Sequence, residues 1–221
     1  MPSKEPRIKQ QDRIIILKKF LSITEQQDIF NQCVEVDMSE PMIKLMSKKK
    51  RCIAFHKIKP KRLEDKRYFQ WHHDRSYKRQ FGGVKKYLET FKRTIRKNIP
   101  KLNLDTELKN QIKKFINVRD YSVIGIAYTH NGRISAHKDS WSTMNLTISL
   151  GDSCRFDYEE NDVIKSCTID SGDLVLFEGN SIKHGVSKIY LSSAPAWFEH
   201  AKTNGLRRFN LQFRLDERDK N

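Results

Sequence analysis

Long apolar runs and paired cysteines are both missing from this sequence, and each absence excludes a class of protein. No stretch approaches the roughly 18 apolar residues that a membrane span needs, and the polar segment Met1–Pro6 lacks the apolar part of a secretory signal. Four cysteines lie scattered along the chain: Cys33, Cys52, Cys154 and Cys167. Because none belongs to a Cys-x-x-Cys pair, a structural zinc site is not expected. We expect a soluble intracellular protein, cytoplasmic or nuclear, with no membrane partner.

Acidic residues are also scarce, at 27 against 43 lysines and arginines, which gives a formal net charge of +16. Such a surface attracts polyanions, because phosphates that bind cations release condensed counterions. A general bias in composition towards lysine would give the same excess. The apolar content of 37% over 221 residues is typical of one folded domain rather than of a disordered chain. We expect a monomer.

Apolar residues recur at helical spacing in the amino-terminal half. A capping box at Thr24-x-x-Gln27 predicts a helix that runs to about Val36. Residues 84–95 and 105–116 show helical spacing too, and Pro100 separates them. The sequence before them carries basic runs, of which Lys48–Arg51 is the densest. We predict a flexible tail over residues 1–12 and a helical, basic region over residues 13–120.

From residue 121 onward the apolar pattern has a period of two. Met144, Leu146, Ile148 and Leu150 alternate with polar residues, as in a strand with one buried face. Similar short runs follow, separated by Gly, Asn, Asp and Ser. This spacing indicates an antiparallel sandwich or barrel. The predicted fold class is therefore α+β, with a β-rich core over residues 121–216.

Two histidines and an aspartate form a candidate metal site. In His137-Lys138-Asp139 the imidazole and the carboxylate leave the same face of an extended chain. His184 follows later in the sequence, directly before Gly185. Two histidines and one carboxylate make the facial triad of non-haem Fe(II) oxygenases. A single His-x-Asp is more often a solvated surface pair, so this assignment depends on the other motifs.

The last alternating run, Arg207–Arg214, carries a line of polar side chains. They occupy every second position: Arg208, Asn210, Gln212 and Arg214. A half-buried strand whose polar face meets water would alternate in the same way. Two arginines on one line instead favour a binding site for a dicarboxylate, because guanidinium offers a planar fork of donors that lysine lacks.

Together these motifs resemble the AlkB family of 2-oxoglutarate oxygenases. That family carries His-x-Asp, a distal His often followed by Gly, and Arg-x-Asn-x-x-x-Arg. This chain has the three motifs in that order: His137-x-Asp139, His184-Gly185 and Arg208-x-Asn210-x-x-x-Arg214. Tyr128 matches a family tyrosine that helps to hold the co-substrate. The resemblance covers about residues 121–216, and it implies a double-stranded β-helix, or jelly roll, with an N-terminal helical, basic extension.

The resemblance also implies cofactors and the residues that hold them. The Fe(II) ligands would be His137, Asp139 and His184. The co-substrate 2-oxoglutarate would be bound by Tyr128, Arg208, Asn210 and Arg214. Arg208 and Tyr128 would bind its distal carboxylate, and Asn210 and Arg214 would lie at the carboxylate nearest the iron. The third reactant is O2.

The reaction that the resemblance implies is oxidative demethylation of alkylated bases in DNA or RNA, which releases formaldehyde and succinate. Methylated nucleic acid is thus the expected partner. Two residues depart from the family pattern. Ile126 stands where an asparagine is common, and Trp141 stands where bacterial repair enzymes carry an acidic residue near the target base. Tryptophan can stack on a flipped base but cannot accept a hydrogen bond, so the preferred base should differ from 1-methyladenine and 3-methylcytosine.

A basic and aromatic segment lies where the family carries its nucleotide-recognition lid. Trp71, Arg75 and Tyr77 would offer stacking surfaces and a phosphate contact, although Trp71 in the core would explain the tryptophan equally well. Two other functions remain open. One is a 2-oxoglutarate-dependent hydroxylase or demethylase that acts on protein, and the other is a non-enzymatic, basic nucleic-acid-binding module with an accidental His-x-Asp.

Overall fold

A computed structural model describes residues 7–11, 13–39, 43–44, 52–53, 68–73, 84–118, 121–140, 142–198 and 206–216. The helices of this part are α1 (Ile23–Ser39), α2 (Lys85–Asn98) and α3 (Thr106–Asn117), with 3-10 turns at Ile99–Lys101 and Ala196–Phe198. The strands are β1 (Arg7–Gln11), β2 (Ile14–Lys18), β3 (Ile43–Lys44), β4 (Cys52–Ile53), β5 (Tyr68–His73), β6 (Ser122–Tyr128), β7 (Ile134–His137), β8 (Ser142–Gly151), β9 (Ser153–Glu160), β10 (Val163–Ile169), β11 (Leu174–Phe177), β12 (His184–Tyr190) and β13 (Arg208–Asp216). None of the described helices is long and apolar enough to span a bilayer.

Strands β6 to β13 form the two sheets of a jelly roll. One sheet has the order β11-β8-β13-β6, and the other has the order β10-β9-β12-β7. All pairs within them are antiparallel. Eight strands in two facing antiparallel sheets are the jelly-roll arrangement. The predicted α+β fold with a double-stranded β-helix core is confirmed.

The amino-terminal region adds strands as well as helices. Strands β1 and β2 extend the larger sheet beyond β11, and β5 extends it beyond β6. The prediction of a flexible tail over residues 1–12 is wrong for residues 7–11, which form β1; residues 1–6 and 12 lie outside the described part. Ile14–Leu17 are all buried, so β2 is an inner strand covered on both faces, and its second edge is available to pair with β1. The predicted helical, basic region over residues 13–120 also contains the strands β3, β4 and β5, so it is not helical throughout.

Helix α1 begins with a different capping box from the one predicted. The backbone N–H of Glu25 donates to Oγ of Ser22 at 3.3 Å, and the backbone N–H of Ser22 donates to Oε2 of Glu25 at 2.8 Å. Thr24 and Gln27 are exposed. Both pairs fit the Ser/Thr-x-x-Glu/Gln pattern, and the helix begins at the first of them.

The larger sheet is buried on both faces, so the fold has two apolar cores. The outer face packs against the helices, with Phe91 of α2, Ile112 of α3 and Phe213 of β13 in one cluster. The inner face packs against the smaller sheet, with Ile126 and Phe177 in a second cluster. Because side chains alternate along a strand, the apolar positions of β13 face the helices. Its polar positions therefore face the space between the sheets.

Phe213→Ala should destabilise the protein without touching this polar row. The Phe213 ring is fully buried and lies 6.0 Å from the Tyr121 ring at 83°. Its truncation leaves a cavity in the helix-side core and should lower the free energy of unfolding by about 3–5 kcal/mol. Denaturant titration monitored by circular dichroism measures this loss. The matched control is Val163→Ala, at a side chain that is 57% exposed, which should change stability by less than about 0.5 kcal/mol.

Candidate metal centre and adjoining cavity

The smaller sheet brings the three predicted metal ligands together. His137 ends β7 and His184 begins β12, and the two residues are direct partners in the antiparallel register. Asp139 follows β7 by two residues, and its carboxylate oxygens lie 3.5 Å from Nε2 of His137 and 3.6 Å from Nε2 of His184. One ligand atom from each residue can be chosen so that all lie within 4.8 Å of one another. Two imidazoles and a carboxylate at this spacing can hold one metal ion.

Backbone carbonyls orient both imidazole rings. Nδ1 of His137 lies 2.9 Å from the carbonyl oxygen of Ser135, and Nδ1 of His184 lies 2.9 Å from the carbonyl oxygen of Ile182. A carbonyl only accepts, so each Nδ1 carries the proton and donates it. Nε2 of each ring then faces Asp139 and is the nitrogen left to bind a metal, which is how second partners commonly fix a metal-ligating histidine.

Hydrogen bonds and nearby charges keep the Asp139 carboxylate ionised. Burial alone would raise its pKa, but the contact with His137 and the positive charge of Arg214 hold the pKa of Asp139 to about 2. Nδ2 of Asn145 donates to Oδ2, and a guanidinium nitrogen of Arg214 lies 3.2 Å from Oδ1. Burial lowers the pKa of His184. At neutral pH the site thus offers an anionic carboxylate and a neutral buried imidazole, the forms that bind metal.

Two glycines allow the close packing around the ligands. A Cβ atom at Gly179 would lie 2.5 Å from both Oδ2 of Asp139 and Nδ2 of Asn145. The carbonyl oxygen of Gly179 also accepts from the backbone N–H of Asp139 at 2.8 Å. A Cβ atom at Gly185 would lie 2.6 Å from the carbonyl oxygen of Ile134, where β12 and β7 shift register. A side chain at Gly179 would displace the Asp139 carboxylate and the Asn145 amide, and one at Gly185 would push β12 away from β7.

A cavity of about 470 Å³ extends from the metal centre into the space between the sheets. The triad lies along its wall together with the four residues predicted to bind the co-substrate: Tyr128, Arg208, Asn210 and Arg214. Pairing of β13 with β6 sets Arg208 opposite Tyr128, and pairing with β8 sets Arg214 opposite Asn145. The polar row of β13 therefore runs along the cavity, with Arg214 at the metal centre.

Arg208 is a buried cation without a carboxylate partner. Its side chain is 1% exposed, and no carboxylate of the described residues lies within ion-pair distance of it. One terminal nitrogen donates to the carbonyl oxygen of Asp152 at 2.8 Å, and the other donates to Oγ of Ser149 at 2.7 Å. Nε has no hydrogen-bond partner. A buried charge in this state is costly, so an anion bound in the cavity would stabilise it.

Two further polar groups on the cavity wall are buried and form no hydrogen bond. The hydroxyl of Thr147 and Oδ1 of Asn210 are buried without a hydrogen bond, and Nδ2 of Asn210 lies 3.4 Å from the Tyr128 hydroxyl. Buried polar groups are nearly always paired in native proteins. A small dicarboxylate that reaches from the metal centre to Arg208 would satisfy them, so the residues present fit 2-oxoglutarate.

The residues predicted to contact the substrate are not part of this geometry. Trp71 lies on β5, where it pairs with Gly125 of β6. Arg75, Tyr77 and Trp141 lie outside the described residues, as does the basic run 48–51. They remain predictions.

Several residues of the site were missed by the sequence motifs. They are Asn145, Thr147, Ser149, Asp152 and Gly179. Asn145, Thr147 and Ser149 are the polar positions of an alternating strand, and that pattern could have identified them as lining the interior once the apolar face was assigned to the helices. Nothing in the sequence distinguishes Gly179 from an ordinary turn glycine.

Comparison with known proteins agrees with this geometry. The sequence model of the family described as the 2OG-Fe(II) oxygenase superfamily matches residues 13–214. The DNA N(6)-methyladenine demethylase ALKBH1C of Arabidopsis thaliana is 33% identical over 100 residues, which make up 39% of this chain and 22% of that protein. The chain thus matches about a fifth of the length of this curated relative.

Solved structures share the fold. OsALKBH1 superposes with a TM-score of 0.60 at 18% identity, over 94% of this chain and 100% of that one. A prolyl-4-hydroxylase from Pseudomonas putida superposes with a TM-score of 0.51 at 12% identity, over 92% and 93% of the two chains. At these identities the similarity concerns the fold alone.

Gly179→Ala should weaken metal binding while leaving the fold intact. The added methyl group would meet the Asp139 carboxylate and the Asn145 amide that orients it. Changes to such orienting contacts typically cost 10–100-fold in metal affinity, and we expect about that loss for Mn(II) measured by anaerobic calorimetric titration. The control is Asn180→Ala, at the exposed neighbouring residue, which should bind Mn(II) as the unsubstituted protein does. Equal affinities for the two variants would contradict the role given to Gly179.

Proposed function

Since the chain belongs to the 2OG-Fe(II) oxygenase superfamily, we propose that it is an AlkB-like dioxygenase that demethylates alkylated bases in nucleic acid. The cofactors of the superfamily are Fe(II) and 2-oxoglutarate, with O2 as the oxidant. Its resemblance to the AlkB family and its similarity to a demethylase of N6-methyladenine in DNA support the choice of substrate class. Formaldehyde and succinate are the expected products.

The proposal depends on one observation: a single cavity holds both a metal triad and a buried arginine that has no carboxylate partner among the described residues. His137, Asp139 and His184 line it together with Arg208. A nucleic-acid-binding module without chemistry would need neither a triad with oriented ring nitrogens nor a guanidinium buried away from every described carboxylate. Both features are explained if a metal and a dicarboxylate bind side by side.

The proposed iron ligands are Nε2 of His137, Nε2 of His184 and the Asp139 carboxylate. A metal held by these three protein ligands would keep coordination positions for other ligands. Fe(II) and 2-oxoglutarate, when bound there, supply the oxidation of a substrate C–H bond by O2. The work of the protein is to position these groups and keep water from them.

The proposed 2-oxoglutarate contacts follow the polar row of β13. Arg208 and the Tyr128 hydroxyl bind the distal carboxylate, with Ser149 holding the guanidinium in place through its hydrogen bond. Asn210 and Arg214 lie nearer the metal. Arg214 also contacts the Asp139 carboxylate, so it orients a metal ligand and balances its charge.

Apolar side chains close the cavity around the metal centre. The Phe177 ring lies 4.6 Å from the His184 ring in an edge-on arrangement, and the Phe156 ring lies 6.1 Å from it. These rings hold His184 in its buried position and exclude water from one side of it. Low local polarity strengthens the electrostatic contacts within the site.

The substrate is proposed to be a base that has left its stack and enters the open end of the cavity. The net charge of +16 favours a polyanionic partner. Trp141 in place of an acidic residue favours a base other than 1-methyladenine or 3-methylcytosine, and N6-methyladenine is the first candidate. Trp71, Arg75 and Tyr77 are proposed to form the nucleotide-recognition lid.

Arg208→Lys should reduce the affinity for 2-oxoglutarate selectively. Lysine keeps the charge but loses the fork of donors. Hydrogen bonds to charged groups contribute about 1.5–3 kcal/mol each, so we expect a weakening of roughly 10–100-fold. Anaerobic calorimetric titration of the Mn(II)-loaded protein with 2-oxoglutarate measures it. The neighbouring Arg207→Lys serves as control and should bind normally; an Arg208→Lys protein with unchanged affinity would remove Arg208 from the site.

Methylated oligonucleotides test the function itself. The Fe(II)-loaded protein with 2-oxoglutarate and O2 should release formaldehyde and succinate in equal amounts from an oligonucleotide that carries one methylated base. Asp139→Ala should release neither, because it removes an iron ligand.

The products distinguish the other functions. Succinate without formaldehyde from any methylated base would contradict demethylation and favour hydroxylation of another substrate, such as protein. If neither succinate nor formaldehyde forms, the proposed oxygenase activity is contradicted, and a non-enzymatic nucleic-acid-binding module becomes the favoured function.

A further inference from the structure

We propose that a groove beside the catalytic cavity binds the backbone phosphates of a nucleic-acid strand that flanks the target nucleotide. This inference rests on the proposed function and names the surface that holds the strand. The groove has a volume of about 780 Å³ and is lined by residues 130–133 and 187–191; we call it the β12 groove.

The β12 groove is continuous with the catalytic cavity. Arg133 lines both of them. Strand β12 also passes from one to the other, with His184–Val186 on the cavity wall and Ser187–Leu191 along the groove. Past Val186, β12 pairs with β9 alone, so the edge that faces the turn at 130–133 is open. At about 3.3 Å per residue, Ser187–Leu191 extends about 13 Å, which is long enough for several nucleotides of a stacked strand.

The cations of the β12 groove differ from the other cations of the same sheet in having no acidic partners. Arg133 and Lys188 are exposed, no acidic residue lines the groove, and no described carboxylate forms an ion pair with either cation. Within the other strands of the smaller sheet the exposed cations are paired: Arg155 with Asp157 and Lys165 with Glu160. Positive charge is thus left unbalanced where the cavity opens. A bound anion would pair with it.

An aromatic ring lines the same groove beside Lys188. Nζ of Lys188 lies 5.4 Å from the centre of the Tyr190 ring, and Leu191 next to it is 52% exposed. Proteins that bind single strands combine a basic groove, which follows the phosphates, with aromatic rings that bases or sugars contact. A nucleic-acid strand therefore fits the β12 groove better than an acidic peptide, which would use the charges but not the ring.

Salt-dependent binding tests the inference independently of turnover. The probe is a fluorescein-labelled, single-stranded 12-mer that carries one N6-methyladenine, and the measurement is its fluorescence anisotropy in a series of salt concentrations. The groove variant is Arg133→Glu with Lys188→Glu. The matched control is Arg93→Glu with Lys113→Glu, which makes the same change in net charge at exposed positions of α2 and α3 on the opposite side of the jelly roll.

The groove variant should bind the probe at least tenfold more weakly than the control variant at low salt. Each phosphate contact contributes about 0.7 to the slope of log affinity against log salt for a single strand. Loss of two contacts should therefore reduce the slope by about 1.4, while the control keeps the slope of the unsubstituted protein. A milder variant, Arg133→Gln with Lys188→Gln, should show the same change in slope and guards against misfolding of the charge-reversed protein, which thermal unfolding detects.

The binding and turnover measurements distinguish an error in the proposed groove from an error in the proposed demethylation. If the groove and control variants bind alike, or if polyglutamate binds as tightly as the oligonucleotide, the β12 groove does not hold the strand, even when the protein releases formaldehyde. If binding depends on Arg133 and Lys188 but no methylated base is demethylated, the groove is supported and the proposed reaction is contradicted.

Discussion

The buried Arg208 guanidinium constrains the strands and the turn that surround it. An isolated charge inside an apolar sandwich costs several kcal/mol unless neighbouring groups solvate it. Strand β8 and the turn after it supply that solvation, through the hydroxyl of Ser149 and the carbonyl oxygen of Asp152. Gly151, with a φ of +95°, permits this turn to approach the start of β13. The Asp152 carboxylate in turn accepts from the backbone N–H groups of Ser193 and Ala194, so the constraint extends from one side chain to a loop at the end of β12.

The two faces of β13 have different roles: one contributes to the stability of the fold and the other to the candidate site. Its apolar face packs against the helices, where α2 and α3 cover the sheet and bury most of the large side chains of the core. Its polar face lines the cavity, where Arg208 and Arg214 lie at different depths. Because the helices stabilise the sheet from outside, the interior of the jelly roll can keep unsatisfied polar groups that a simple sandwich core would exclude. The unpaired Nε of Arg208 is one such group.

The sequence predicted those features that depend on local spacing. Side-chain alternation identified the polar row of β13, and His137-x-Asp139 could be assigned because residues two apart share a face of an extended chain. Features that depend on contacts between residues far apart in the sequence were not predicted. Residues 7–11 form β1, which pairs with the edge of β2, and the helix begins at Ser22 although Thr24-x-x-Gln27 fits the same local pattern. Gly179 was missed because its role arises from a contact with Asp139 that no local pattern encodes.

We propose that a metal and 2-oxoglutarate bind side by side in one cavity, the metal at Asp139 and the co-substrate towards Arg208. Anaerobic calorimetric titration of 2-oxoglutarate, with and without saturating Fe(II), tests it most directly. Two ligands in contact must affect each other's affinity by the same factor. We predict that Fe(II) tightens the binding of 2-oxoglutarate at least tenfold, and that 2-oxoglutarate tightens the binding of Fe(II) equally. Affinities that do not depend on each other would contradict a shared cavity.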